Sequence, residues 1–155
     1  MNAKVYVETT VISYLTARPS RDVVVAGHQQ TTHDWWQSSR ERFALFGSQL
    51  VVQEAGAGDP EAARQRLDVL TAVTLLEVNE DALALAQRLV RVGAVPEPAT
   101  EDALHIAVAV TNGMDYLLTW NYRHLANATT RSAIEQACRA AGYEPVIICT
   151  PEELL

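Results

Sequence analysis

The sequence predicts an α/β fold: a single three-layer domain over residues 1–155 in which about five short parallel strands form one sheet flanked by helices. Three observations lead there. Five short β-rich segments alternate along the chain with segments of helical periodicity. Crossovers of that kind are right-handed and bring successive strands into parallel register. The composition, with 48% hydrophobic and 20% charged residues in 155, is that of an ordinary globular chain, long enough to bury roughly two thirds of its unfolded surface around one core.

The first strand is read at 4–8, and Thr9-Thr10 is expected to cap a helix through Val11, Ile12, Tyr14 and Leu15. Residues 17–21, with Pro19, break that helix, and one long helix or two follow from Asp22 to about Arg42. A second strand is expected at 43–46. Ser48 then caps a helix from Gln49 to Ala55 that Gly56-Ala57-Gly58 ends, and Asp59-Pro60 opens the next. The third strand is read at 73–78, with Asn79 opening an amphipathic helix up to Gly93. Thr100 is expected to cap a helix that is apolar on nearly every side until Asn112-Gly113, and so to be buried. The fourth strand is read at 116–120, a helix at 131–141, and the fifth strand at 146–149, before a capping box at 150–153.

Net charge is −7, the wrong sign for holding nucleic acid by bulk attraction, so any such role needs a metal or local arginines. Lys4 is the one lysine among the 12 basic residues; the rest are scattered arginines. Two cysteines, Cys138 and Cys149, make no disulfide framework and no zinc motif, which points to a reducing compartment. Charges at Lys4, Glu8, Arg18 and Arg21 leave no signal-peptide core, and no apolar run reaches membrane-spanning length, so the expectation is a soluble, cytoplasmic protein.

Sites in open α/β sheets form beyond the carboxyl ends of the strands. Glu8 ends the first strand. Glu54 projects between Leu50 and Val51 on the apolar face of a short helix, where an unpaired carboxylate is costly and must be protonated, paired or bound to a cation. Asp102 lies in the first turn of the buried helix, where an acid also favours the helix dipole, and of Glu101 and Asp102 only one is expected to face solvent. His105 lies three residues on and reads either as a supporting hydrogen-bonding group or as a satisfied core histidine. His28, His33 and His124 show no ligand spacing, which argues against zinc. Asn121 follows the fourth strand as a turn former or an oxygen ligand, with the Thr119 hydroxyl as support. Three carboxylates and an amide suit a hard ion such as Mg²⁺ or Mn²⁺, and with it phosphodiester hydrolysis.

The ordered set Val5-Tyr6-Val7-Glu8-Thr9-Thr10, Val51-Val52-Gln53-Glu54, Asp102-Ala103-Leu104-His105-Ile106-Ala107 and Leu117-Leu118-Thr119-Trp120-Asn121 resembles the PIN (PilT N-terminus) domain family, and within it the VapC-like toxins. The resemblance runs from Lys4 to Pro151. It implies a small metal-dependent endoribonuclease, the toxin of a type II toxin-antitoxin pair, with an RNA substrate, a cognate antitoxin and a homodimeric assembly. Glu8 stands where the family has its first Asp, Glu54 where it has Glu, Asp102 where it has the Asp of the buried helix, and Asn121 where many members have a fourth acid. Thr10 replaces an Asn that often follows the first Asp, and Thr119 matches a Thr or Ser.

On this basis Glu8, Glu54 and Asp102 are expected to hold one Mg²⁺ or Mn²⁺, a second ion joining only with RNA phosphate because Asn121 removes a charge. Asn121 and Thr119 would orient water or phosphate, with Arg18, Arg21 or Arg123 on the flanking backbone. Trp35 and Trp36 read as packing on the core edge, with an interface as the other reading for either. The Glu8 and Asn121 departures favour an alternative, a catalytically degenerate PIN-like module that binds RNA or protein. A phosphohydrolase of small esters working through an aspartyl nucleophile is disfavoured, since the first strand ends without Asp-x-Asp.

Overall fold

The first strand, β1 (Ala3–Val7), lies at the middle of the sheet. In the computed structural model, which describes residues 2–155, it pairs in parallel with β2 (Phe43–Ser48) on one side and β4 (Tyr116–Leu118) on the other. β3 (Thr74–Leu76) extends the sheet beyond β2 and β5 (Ile147–Cys149) beyond β4, giving the all-parallel order β3-β2-β1-β4-β5. Covered on both edges and both faces, β1 can use Val5, Tyr6 and Val7 in succession, all fully buried. Each expected strand forms. β4 stops two residues short of Trp120 because the Trp120 amide donates to the Thr10 hydroxyl at 2.9 Å instead of continuing the ladder.

The flanking helices are α1 (Thr9–Thr16), α2 (Val23–Ser38), α3 (Gln49–Ala55), α4 (Pro60–Leu70), α5 (Glu80–Arg91), α6 (Thr100–Thr111) and α7 (Ala128–Ala140). Most begin on short polar caps: Asp22, Ser48, Asp59, Asn79 and Asn127 each accept from an amide in the first turn. The Asn127 cap starts α7 three residues earlier than the apolar periodicity indicates. The segment from 22 to 42 is one helix followed by a 3₁₀ turn at Arg40–Arg42.

Three capping expectations are corrected. Glu8, not Thr9 or Thr10, caps α1. Thr100 caps nothing; its hydroxyl donates back to the Glu97 carbonyl at 2.8 Å, closing the 3₁₀ turn (Glu97–Ala99) that leads into α6. Thr150 makes no cap for the closing turn. α6 is buried as expected, with Ala103 and every residue from His105 to Val110 in the interior. Of the two readings of the tryptophans, the structure favours packing on the core. Trp35 is fully buried and Trp36 is half-buried under the Arg40 guanidinium, 4.6 Å from its ring centre, so Trp35 offers no surface for an interface. Among the described residues, no helix is long and apolar enough to cross a membrane.

Candidate active site

Parallel strands ending together bring β1, the β2–α3 turn and β4 to one edge of the sheet, against the first turn of α6. Glu8 leaves β1 and turns back over α1, only 4% exposed. Its Oε1 accepts from the hydroxyls of Thr10 at 2.5 Å and Thr119 at 2.6 Å, and its Oε2 from the Thr10 amide at 3.2 Å. Thr119 is itself fully buried, behind Glu8 rather than facing solvent.

Glu54 follows the buried Leu50 and Val51 of α3, and its side chain is 25% exposed. Its Oε1 accepts from the Thr9 hydroxyl and lies 2.7 Å from Nε2 of His105. Burial alone would push the Glu54 carboxyl up, but the hydrogen bond and charge of His105, with the Thr9 hydroxyl, hold it below the ordinary carboxylate range. For His105 the balance is mirrored. Burial disfavours its charged form, while Glu54, then the charges of Glu8 and Asp102, outweigh that and raise its pKa. Behind the ring, Nδ1 lies 2.7 Å from the Tyr6 hydroxyl, which lies 2.8 Å from the Ser48 hydroxyl.

Asp102 is 19% exposed and held from both sides: Asn121 Nδ2 donates to Oδ1 at 3.2 Å, and His124 Nδ1 lies 2.8 Å from Oδ2. Glu101 beside it is exposed, as the periodicity of a buried helix requires of one of the two. Glu8, Thr9, Thr10, Ser13, Tyr14, Glu54, Asp102 and Asn121 line one open cleft of about 340 Å³. Glu8, Glu54 and His105 have ligand atoms within 4.8 Å of one another; Asp102 stands outside that tight group, on the wall with Asn121. No Lys or Arg lines the cleft among the described residues. The carboxylates that face the cleft, Glu8, Glu54 and Asp102, are oxygen donors of the kind that suit a hard divalent cation, with His105 beside Glu54 and His124 beside Asp102.

Solved structures share this architecture. A chain of VapBC2 from Rickettsia felis, solved bound to a DNA fragment from its promoter, superposes with a TM-score of 0.61 and 13% identity over 95% of this chain and 98% of that one. VapC20 of Mycobacterium tuberculosis, a sarcin-ricin loop cleaving toxin, superposes with a TM-score of 0.57 and 21% identity over 83% and 94%. The chain has the PIN-domain fold of the VapC toxins. No family model matches the sequence, and no curated protein does.

In this PIN-like cleft the sequence reading located Glu8, Glu54, Asp102 and Asn121, with Thr119 beneath them. It missed Thr9, Tyr6 and His124. Thr9 reads as a cap, yet its hydroxyl donates to Glu54. Tyr6 had a readable signal, since residues two apart on a strand share a face and Tyr6 and Glu8 are such a pair. His124 was discounted for want of ligand spacing. Its position comes from the turn after β4, where Asn121 Oδ1 accepts from the amides of Arg123 and His124 at 3.2 Å each and folds His124 back toward Asp102.

Proposed function

We propose that this chain is a Mg²⁺- or Mn²⁺-dependent endoribonuclease, hydrolysing RNA phosphodiester bonds as the toxin of a type II toxin-antitoxin pair in the cytoplasm. The observation that carries this reading is the convergence of Glu8, Glu54 and Asp102, from three separate elements, on one cleft whose lining holds no cationic side chain among the described residues. The likeness of fold to VapC20, a toxin that cleaves the sarcin-ricin loop, supports the same reaction class. The likeness to VapBC2, bound to DNA from its promoter, supports a cognate antitoxin, and a homodimer belongs to the same reading.

Glu8, Glu54 and Asp102 would hold the ion, which supplies a bound water of lowered pKa and stabilises charge gathering on the scissile phosphate. His105 keeps Glu54 ionised and aimed, with its own ring held by Tyr6. Glu8 keeps ligand capacity at Oε2, whose one partner is the Thr10 amide at 3.2 Å. Asn121 and His124 set the direction of Asp102. Thr119 acts on the site through Glu8 rather than by touching phosphate. Arg18, Arg21 and Arg123 are exposed and in no ion pair among the described residues, free to meet flanking phosphates.

A second reading rests on a specific observation. Glu8 Oε1 is taken by two hydroxyls, and both Asp102 oxygens have partners, as expected of a degenerate module that binds without turnover. Calorimetric Mn²⁺ titration of the wild type beside Asp102→Asn, followed by an RNA cleavage screen, separates them. Saturable binding lost in the variant, with cleavage in the wild type, supports the nuclease. Binding without cleavage supports the module, and no binding in either protein removes the metal mechanism.

A further inference from the structure

Four aromatic rings from three parts of the chain form a compact cluster that reaches the cleft at Tyr14, with Tyr14 also 6.3 Å from His28 and Tyr122 6.1 Å from Trp120. Tyr14 of α1 lines the cleft and stacks on Trp120 with ring centres 5.9 Å apart and planes 17° apart. Trp120 stacks in turn on His28 of α2 at 4.2 Å and 14°, and His28 meets Tyr122 at 5.7 Å. Trp120 is buried and pinned, its indole N–H donating to the buried Thr32 hydroxyl at 2.8 Å, whereas Tyr122 is 45% exposed. The residue between Trp120 and Tyr122 is Asn121, which lines the cleft and holds Asp102. The aromatic cluster and the acid site therefore share the turn after β4.

A protein of net charge −7 gains nothing from bulk attraction to a polyanion and needs a neutral means of holding it. Aromatic faces provide one, because every base has a π-face and stacks on a ring without regard to charge. We propose that Tyr14, backed by Trp120 and His28, is a stacking platform for an unpaired nucleobase next to the reacting phosphate, and that Tyr122 takes the next base outward. This rests on the ribonuclease reading and adds the residues that hold a base beside the reacting phosphate, a base that must be unpaired, since a paired one has no free face to offer. The rigid Trp120 backing keeps the platform in place before RNA arrives.

The test compares two probes at equal salt with Ca²⁺ present: a decamer of oligoadenylate, and a decamer of the same ribose-phosphate backbone without bases. The wild type is expected to bind the base-bearing decamer about tenfold more tightly. Tyr14→Leu keeps an apolar side chain without the ring and should erase that preference, and Tyr14→Phe keeps the ring and should retain it. Equal wild-type binding to both decamers overturns the platform and leaves the nuclease reading standing. Binding of neither decamer removes the RNA reading and the platform together, leaving the rings to a protein partner. A Tyr14→Leu protein that weakens equally on both probes shows the ring acting through the fold, which also overturns the proposal.

Discussion

His105 and Glu54 meet at 2.7 Å between Nε2 and Oε1, a contact between a side chain 1% exposed and one that opens on the cleft. The imidazole is the inner wall of the acid site and the only basic group in its tight cluster. Replacing it should therefore do more than remove one hydrogen bond. His105→Leu leaves Glu54 without its partner and is expected to destabilise the fold by about 2 kcal/mol, read as the shift of the urea midpoint. Mn²⁺ affinity should fall about tenfold or more as Glu54 loses its orientation. An unchanged midpoint and affinity would show the pair to be incidental.

The same pair makes metal-free stability depend on pH. Glu54 has its pKa lowered in the fold, so its contribution is full above the ordinary value of 4.5 and is lost as pH falls through the depressed one. His105 has its pKa raised, so its contribution is full below the ordinary 6.5 and is lost as pH rises through the elevated one. The pair supports the fold most strongly between those two ordinary values. Urea midpoints measured in EDTA across this range should show a maximum there that His105→Leu flattens; parallel curves for the two proteins would refute the assignment.

Glu8→Asp would restore the residue the resemblance leads one to expect, yet here it should do harm. The longer side chain is what reaches the hydroxyls of Thr10 and Thr119 while capping α1. Shortening it by one methylene should cost about 1 to 2 kcal/mol in thermal or urea unfolding, with no gain in metal affinity. A more stable Glu8→Asp protein would show that the threonine pair adapts to either acid.

Both thiols are buried, and burial pushes Cys138 up to about 11 and Cys149 up to about 12. At pH 8 about one Cys138 in a thousand is then thiolate, and neither is open to reagent. Iodoacetamide should leave the folded chain unmodified by mass spectrometry over a period that fully alkylates it in urea. Rapid labelling of either cysteine in buffer would mean that β5 or α7 opens locally.

How far the molecule could be read in advance differs between its frame and its site. Strand alternation and the apolar α6 were legible because they depend on periodicity, which one sequence carries. The individual carboxylates were legible because a strand end and an apolar helix face are unusual places for an acid. Their partners were not. Tyr6 and His105 stand 99 positions apart, and Thr119 reaches Glu8 across 111; such pairings exist only after α6 and β4 have come together with β1. His124 depended on a side-chain turn at Asn121, and the early start of α7 on a single capping Asn127, both local choices that periodicity does not register.

The place of β1 in the sheet bears on how the protein is made. Its partners are β2, already synthesised by Ser48, and β4, which ends at Leu118. Glu8 and Glu54 leave the ribosome early, but Asn121 and His124, which set the direction of Asp102, come after β4. A growing chain thus has no assembled acid cleft until most of it exists. On the proposed ribonuclease reading, this ordering would keep the nascent chain harmless to the message from which it is being read.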